Sequence, residues 1–248
     1  SMITSPQHAT ISAYVMKPLE VFQLLQTEEL PLILAFPLEE GKGHFITGKG
    51  ICYIDKIHGS SRVTLGRFSP ARLVNYVRQC ASFYVTFEAK GTTFGCFLRD
   101  LTIDGASITA SLPESLKPFM RRFLRVEPSL VAPVILHVRP RYSGTLSLFV
   151  RDISECGVGL ITPAPLELEG RAACGIQLPA EGNTLVLVDA SVVYRADSVH
   201  AGMSDCSLRR GSHGVFYGIE TFPHSEDQKR IKLYIMRREV EISRLLHE

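Results

Sequence analysis

The chain has 248 residues, 45% of them hydrophobic and 21% charged, with a formal net charge of +2. That length suits one large domain or two smaller ones, and the composition is that of a soluble globular protein whose core needs no staples. A balance so near neutrality gives no global reason for attraction to nucleic acid or membrane surfaces. No apolar run approaches the roughly 18 residues of a spanning helix.

The opening Ser1-Met2-Ile3-Thr4-Ser5-Pro6 has neither a basic n-region nor an apolar h-region, so it is not a signal peptide, and Ser1 before Met2 reads as a cloning remnant. Leu19, Phe22 and Leu25 have helical spacing, which predicts a short helix over Leu19 to Gln26 that Pro31 blocks. Beyond Pro31 the pattern is strand-like, broken by Gly, Pro and Asp turns. The predicted strands are Leu32–Phe36, His44–Ile57, Arg62–Leu65, Ser82–Ala89, Thr92–Ile103 and Ala106–Ser111. Lys90-Gly91 and Asp104-Gly105 are hairpin signals. Between strands, Ser69 to Cys80 reads as a helix with Pro70 in its first turn and Leu73, Val74 and Val77 on one face.

Pro113 to Pro118 is a short junction containing two prolines. A second strand rhythm follows: Val131–Val138, Thr145–Asp152, Gly157–Thr162, Cys174–Leu178, Thr184–Arg195 and Val215–Phe222. Six short strands without intervening helices predict an antiparallel barrel or sandwich, because parallel strands need crossover connections. Ala196 to Gly214 is a polar loop. Ser225 to Leu246 is the one long helix, with Ser225 as cap and Gln228 as a weak capping-box partner. Ile231, Ile235, Ile242, Leu245 and Leu246 mark its apolar face; Lys229, Arg230, Arg237, Arg238 and Glu241 populate the rest. Such a helix can dock on the barrel, dimerise, or leave a face for a partner.

Six cysteines, at 52, 80, 96, 156, 174 and 206, form no Cys-xx-Cys pair and stand mostly in apolar context. They read as reduced, small buried side chains. His200, Asp205, Cys206 and His213 match no common zinc spacing, so no metal is expected. Ser154 lacks a Gly-x-Ser-x-Gly context, and the chain has neither a Walker loop nor a Gly-x-Gly-xx-Gly. An enzyme is the least favoured class.

One stretch stands out. It opens with Arg121-Arg122-Phe123-Leu124-Arg125 and closes with Asp152-Ile153-Ser154-Glu155-Cys156-Gly157. Guanidiniums fit phosphate oxygens bidentately and stack on flat rings. An aspartate and a serine can read donors on a base edge, and a glycine lets the backbone turn and a ligand approach. Together they suit a ligand carrying both phosphates and bases. The competing reading of Asp152-Ile153-Ser154 is an Asx-type turn bonding its own backbone.

The spacing Arg121-xxx-Arg125, then Asp152-x-Ser154-xx-Gly157, resembles the bipartite motif of PilZ domains, receptors for the bacterial second messenger cyclic di-GMP. Leu112-Pro113-Glu114-Ser115-Leu116, running into Met120–Val126, looks like the domain junction of the flagellar-brake (YcgR-like) subgroup. Tyr217-Gly218-Ile219-Glu220 looks like the family's last strand. The motifs cover residues 112 to 235; the first hundred residues match only loosely. The resemblance implies a mostly β chain of two barrel-like domains, a YcgR-like split barrel at 1–112 and a six-stranded antiparallel PilZ barrel with a C-terminal α-helix at 127–248, joined by a linker at 113–126. It implies a site in which Arg121 and Arg125 bond guanine edges and phosphates, with Arg122 in the same cluster. Asp152 would accept from guanine N1 and N2, Ser154 would bond a phosphate or base atom, and Gly157 would permit the turn. Where the subgroup often has a further arginine, this chain has Met120, so a single bound nucleotide per chain is expected.

By resemblance the chain is a cytoplasmic receptor, neither enzyme nor metalloprotein, whose ligand changes the inter-domain arrangement and whose output is control of flagellar motility through motor proteins at the basal body. Monomer and homodimer both stay open. One rival is a PilZ protein acting through partners without nucleotide. Another is a nucleic-acid-binding regulator using Arg121, Arg122, Arg125, Arg139, Arg141 and Arg151; near-neutral charge argues against it, and no nucleic-acid partner is expected.

Overall fold

The computed structural model describes residues 16–41, 43–119, 123–140, 144–168, 170–179, 183–196 and 214–247. Helix α1 (Pro18–Thr27) is followed by β1 (Leu32–Glu39), β2 (Phe45–His58), β3 (Arg62–Ser69), the short α2 (Leu73–Val77), β4 (Phe83–Ala89), β5 (Thr92–Asp104), β6 (Ser107–Ser111) and the two-residue β7 (Lys117–Pro118). After the junction come β8 (Ile135–Val138), β9 (Leu146–Ser154), β10 (Gly157–Thr162), β11 (Arg171–Leu178), β12 (Thr184–Ala196), β13 (Val215–Phe222) and α3 (Ser225–His247).

Two barrels result, as the strand rhythm and the resemblance imply. In the first, the order β4-β1-β2-β3-β6-β5 returns to its start through a β4–β5 pairing, and β7 adds to β5. The second closes as β10-β13-β12-β11-β8-β9. Every pairing is antiparallel, and closure leaves little free edge. Period-two alternation does the sorting: in β1, Leu32, Leu34, Phe36 and Leu38 point inward, while Ile33 and Ala35 face outward. Of the two hairpin signals, Lys90-Gly91 forms the turn itself, whereas Asp104-Gly105 is displaced by one residue: Asp104 ends β5 and pairs with Ser107, so the turn is Gly105-Ala106, with Gly105 at φ 57°. Lys90 and Gly91 both take positive φ, 50° and 73°, as a two-residue hairpin turn requires.

Three further expectations are corrected. The helix expected over Ser69 to Cys80 shrinks to five residues, because Ser69 still belongs to β3, where it pairs with Ile51. The strand expected from Val131 begins only at Ile135, past Pro133, which has no N–H to give a ladder. Gln228 does not reach back to cap α3; its side-chain amide donates to Glu155 Oε2 (3.5 Å) and Cys156 Sγ (3.6 Å) in the β9–β10 turn.

Each barrel has its own apolar core, and α3 belongs to both. Ile231 and Ile235 pack into the second barrel's core, whereas Ile242 and Leu246 pack into the first. Between these two anchorages Arg238, expected on the polar face, is 97% buried (3% exposed). Its guanidinium forms a fork on Glu40 (2.6 and 2.8 Å), donates to the Glu127 carbonyl (2.8 Å) and reaches Glu241 (3.2 Å). Burial by itself lowers the affinity of this guanidinium for its proton. The Glu40 hydrogen bonds and charge outweigh that and hold it above the ordinary arginine value. Arg72, next to α2, donates to the Leu246 and Leu245 carbonyls and satisfies the last turn of α3. The helix therefore fastens one barrel to the other. The Glu127 carboxylate adds to the joint by accepting from the Thr47 N–H (3.0 Å) and hydroxyl (2.7 Å).

The cysteines at 52, 80, 96, 156 and 174 are free thiols. Burial pushes Cys52 and Cys96 up to about 12 and raises Cys80 and Cys174, as expected of inert packing residues. Among the described residues no helix is long and apolar enough to cross a membrane, and no group of three metal-ligating side chains converges. The suggested zinc set lies outside the described residues.

Candidate functional site

Val126 and Ile153 exchange two backbone hydrogen bonds (3.0 and 2.9 Å), tying the end of the junction to β9. Their neighbours Arg125 and Asp152 are thereby placed side by side. Arg125 Nη1 stands 3.3 Å from Asp152 Oδ1 although 27 positions separate them. Arg151 Nε approaches the other carboxylate oxygen at 3.8 Å, and its guanidinium lies 4.9 Å above the Phe216 ring.

Asp152 is buried, and its setting depends on a glycine that the motif reading passed over. Gly159 pairs directly with Asp152 across β9 and β10, and a Cβ at Gly159 would come within 2.6 to 2.9 Å of the carboxylate atoms. Only a bare backbone leaves the carboxylate room. The signal was available in Gly157-Val158-Gly159, two glycines on one face of a strand whose partner carries the aspartate.

The remaining motif positions divide. Ser154 is buried and donates to the Gly157 carbonyl (3.4 Å), closing the β9–β10 hairpin. Gly157 does not occupy the left-handed region; its constraint is proximity, since a Cβ there would lie 3.1 Å from the Ile219 carbonyl of β13. Neither residue lines the cavity described below. Arg121 and Arg122 lie outside the described residues, as does Met120.

Arg125 and Asp152 sit on the wall of a cavity of about 430 Å³ between the two barrels, a volume within the range of small-molecule sites. The first barrel supplies its outer face: Ile33 and Ala35 from β1, Thr47 and Lys49 from β2, Tyr84 and Thr86 from β4. Phe119 and the run Phe123 to Glu127 form the junction side, and Glu239 and Ile242 of α3 complete the wall. Tyr84 stands at the centre of an aromatic group, with ring centroids 5.0 Å from Phe97 and 6.3 Å from Phe119.

The polar groups form two sets. Asp152, Glu127 and Glu239 accept; Arg125, Lys49 and Thr47 donate. Lys49 Nζ lies 3.5 Å from Glu239 Oε1. Apolar and aromatic walls with carboxylates fit a flat heterocycle bearing N–H donors, while Arg125 and Lys49 supply positive charge for an anionic group. The Arg125 side chain is 39% exposed. An ion pair with one partner this exposed is worth ~0–1 kcal/mol, so an incoming ligand can displace it at little cost.

No protein-family model matches the sequence, and no curated protein matches it significantly. Solved structures do resemble the chain. YcgR from Escherichia coli in complex with c-di-GMP is 16% identical, with 96% of this chain and 97% of that chain covered and a TM-score of 0.45. The Bacillus subtilis inhibitor of motility (MotI/DgrA) is 15% identical, covers 86% and 96%, and gives 0.43. The c-di-GMP-bound PilZ domain of E. coli YcgR is 18% identical, covers 52% of this chain and 99% of its own, and gives 0.41. At such identities and scores these are likenesses of fold only.

Proposed function

We propose that the chain is a PilZ-type receptor for cyclic di-GMP that takes one nucleotide in the cavity between its two barrels, divided as 1–112 and 127–248 around the linker 113–126. The observation that carries this reading is the meeting of Arg125 and Asp152, two motif positions distant in sequence, on the wall of that cavity. Asp152 accepts from guanine N1 and N2. Arg125 moves from Asp152 to a phosphate or a purine face, with Arg121 and Arg122 supplying the remaining positive charge. Ser154 and Gly157 act behind the site, setting the β9–β10 hairpin on which Asp152 rides.

Because the cavity is walled by both barrels, the junction and α3, a ligand there has differential contacts with any altered arrangement of the domains, which is the requirement for a shape-changing signal. The output we assign is control of flagellar motility or a related surface behaviour through motor proteins, by a non-enzymatic cytoplasmic protein; this last step rests on the motif resemblance.

The test is calorimetric titration of the purified chain with cyclic di-GMP, beside Arg125→Ala and Asp152→Ala. Binding at micromolar concentration or tighter, one nucleotide per chain, abolished by both substitutions, is the expected result. Absence of binding by folded wild-type chain, confirmed by a second method, overturns the receptor reading in favour of a PilZ protein acting through partners alone.

A further inference from the structure

Helix α3 buries one side and offers the other to solvent. Leu233, Met236 and Val240 are 49%, 57% and 51% exposed, and they recur at the three- and four-residue spacing of one helix face. This stripe lies opposite Ile231, Ile235 and Ile242, which fill the two cores. It spans about 10 Å of helix axis and has the spacing of a short coiled-coil seam. The apolar surface continues onto the second barrel, since Leu233 shares a hollow with Ala132, Leu178 and Pro179.

Charge along the stripe has one sign. Arg237 and Arg244 stand seven residues apart on the same flank, and both are exposed. Among the described residues the carboxylates of α3 are paired elsewhere: Glu226 with Lys229, Asp227 with Arg230, Glu239 with Lys49 and Glu241 with Arg238. From Leu233 to His247 the outward face carries no carboxylate of its own; Glu239 and Glu241 stand on its two shoulders.

We propose that this face is a docking surface for an acidic amphipathic helix of a partner protein. The partner's apolar side chains cover Leu233, Met236 and Val240, and its carboxylates meet Arg237 and Arg244. Met236 suits the role because an unbranched thioether adapts to the side chains it meets. A second copy of this chain fits worse, because it brings the same two arginines to the joint from both sides. An anionic membrane fits worse as well, because Glu239 and Glu241 would face the lipid phosphates and α3 is fixed along its length in both cores. That double anchorage gives docking its consequence: a partner seated on α3 holds the element that fastens the barrels together.

The experiment uses the full chain and a fluorescently labelled three-heptad peptide with Ile at a, Leu at d and Glu at e and g, followed by anisotropy. Counterpart peptides carry Lys at e and g, or Ala at a and d. The Glu peptide is expected to bind at micromolar concentration, more weakly as salt rises, and the two counterparts to give nothing. Met236→Ser should weaken the Glu peptide about tenfold, and so should Arg237→Glu combined with Arg244→Glu. All these positions are exposed, so the variants keep the wild-type unfolding midpoint. The charge-reversed pair should now take the Lys peptide, a change of preference that a merely structural role would not produce. No binding of the Glu peptide at millimolar concentration overturns the proposal. So does binding indifferent to these substitutions, or a charge-reversed chain that still refuses the Lys peptide. Wild-type chain that sediments as a dimer which Met236→Ser dissociates assigns the face to a second copy instead. Chain that prefers phosphatidylserine vesicles to the Glu peptide assigns it to a membrane; either result overturns the proposal. None of these outcomes requires cyclic di-GMP to bind.

Discussion

Replacing Arg238 by methionine keeps the apolar stem against α3 and removes the charged head. The head makes two hydrogen bonds to Glu40, one to the Glu127 carbonyl and one to Glu241. Bonds to charged groups are worth about 1.5–3 kcal/mol each, and breaking a buried pair by removing one partner costs about 3–5 kcal/mol. The Glu40 side chain is 18% exposed, so water recovers part of its lost solvation, whereas Arg238 is shielded on all sides. The lower end applies, about 3 kcal/mol. With a urea slope of roughly 2–3 kcal/mol/M, the midpoint falls by about 1–1.5 M. The chain has no tryptophan, so the assay is far-UV circular dichroism, with hydrogen exchange to report each barrel separately. Because the lost bonds join the domains, the variant should unfold in two steps where the parent unfolds in one. Glu40→Gln and the double variant complete a cycle, with a coupling of about 1–3 kcal/mol expected. An unchanged midpoint with coupling near zero would refute the idea that this fork fastens the barrels.

Other consequences are as direct. Gly159→Ala drives a methyl into the Asp152 carboxylate; overpacking of this kind costs about 1–3 kcal/mol, and cyclic di-GMP affinity measured by calorimetry should drop with it. Ile242→Ala and Ile235→Ala should each cost about 2–4 kcal/mol but act in different places, the first on exchange protection of β1–β6 and the second on the barrel β8–β13. Cys52 and Cys96 should resist Ellman's reagent at pH 8 in the folded chain. Their folded values near 12 lie above the ordinary 9.0, so the folded state holds protons that the unfolded state releases. Stability is then constant below about pH 9 and falls as pH rises towards 12, by up to about 1.4 kcal/mol per pH unit for each thiol. Cys52→Ala with Cys96→Ala should flatten that alkaline decline in urea titrations.

Local chemistry was legible in the sequence. Alternation in β1 and in Leu146, Leu148, Val150 of β9 marked the strands, and Lys90-Gly91 marked its turn, because these depend on neighbours a few residues away. The apolar stripe of α3 was legible too, but not its partners: periodicity says that Ile235 and Ile242 are buried and cannot say that they are buried in different cores. Arg238 misled for the same reason. Its carboxylate partner stands 198 positions earlier, and an arginine between Arg237 and Glu239 looks like solvated helix surface until that partner is found. Asp152 and Arg125 could be associated only because their spacing resembles a known motif. Gly159 was missed because the motif ends two residues before it.

The sharing of α3 has an effect on how the molecule comes into being. Ile242, Leu245 and Leu246 complete the core of the first barrel, yet the whole second barrel precedes them in the chain. A growing chain that has finished β1–β6 therefore still exposes the apolar groove those side chains will fill. It stays adhesive until the second barrel has been made and α3 has left the ribosome. A first barrel expressed by itself should accordingly associate or bind a dye for exposed apolar surface, and a synthetic peptide of Ser225–His247 should restore its solubility.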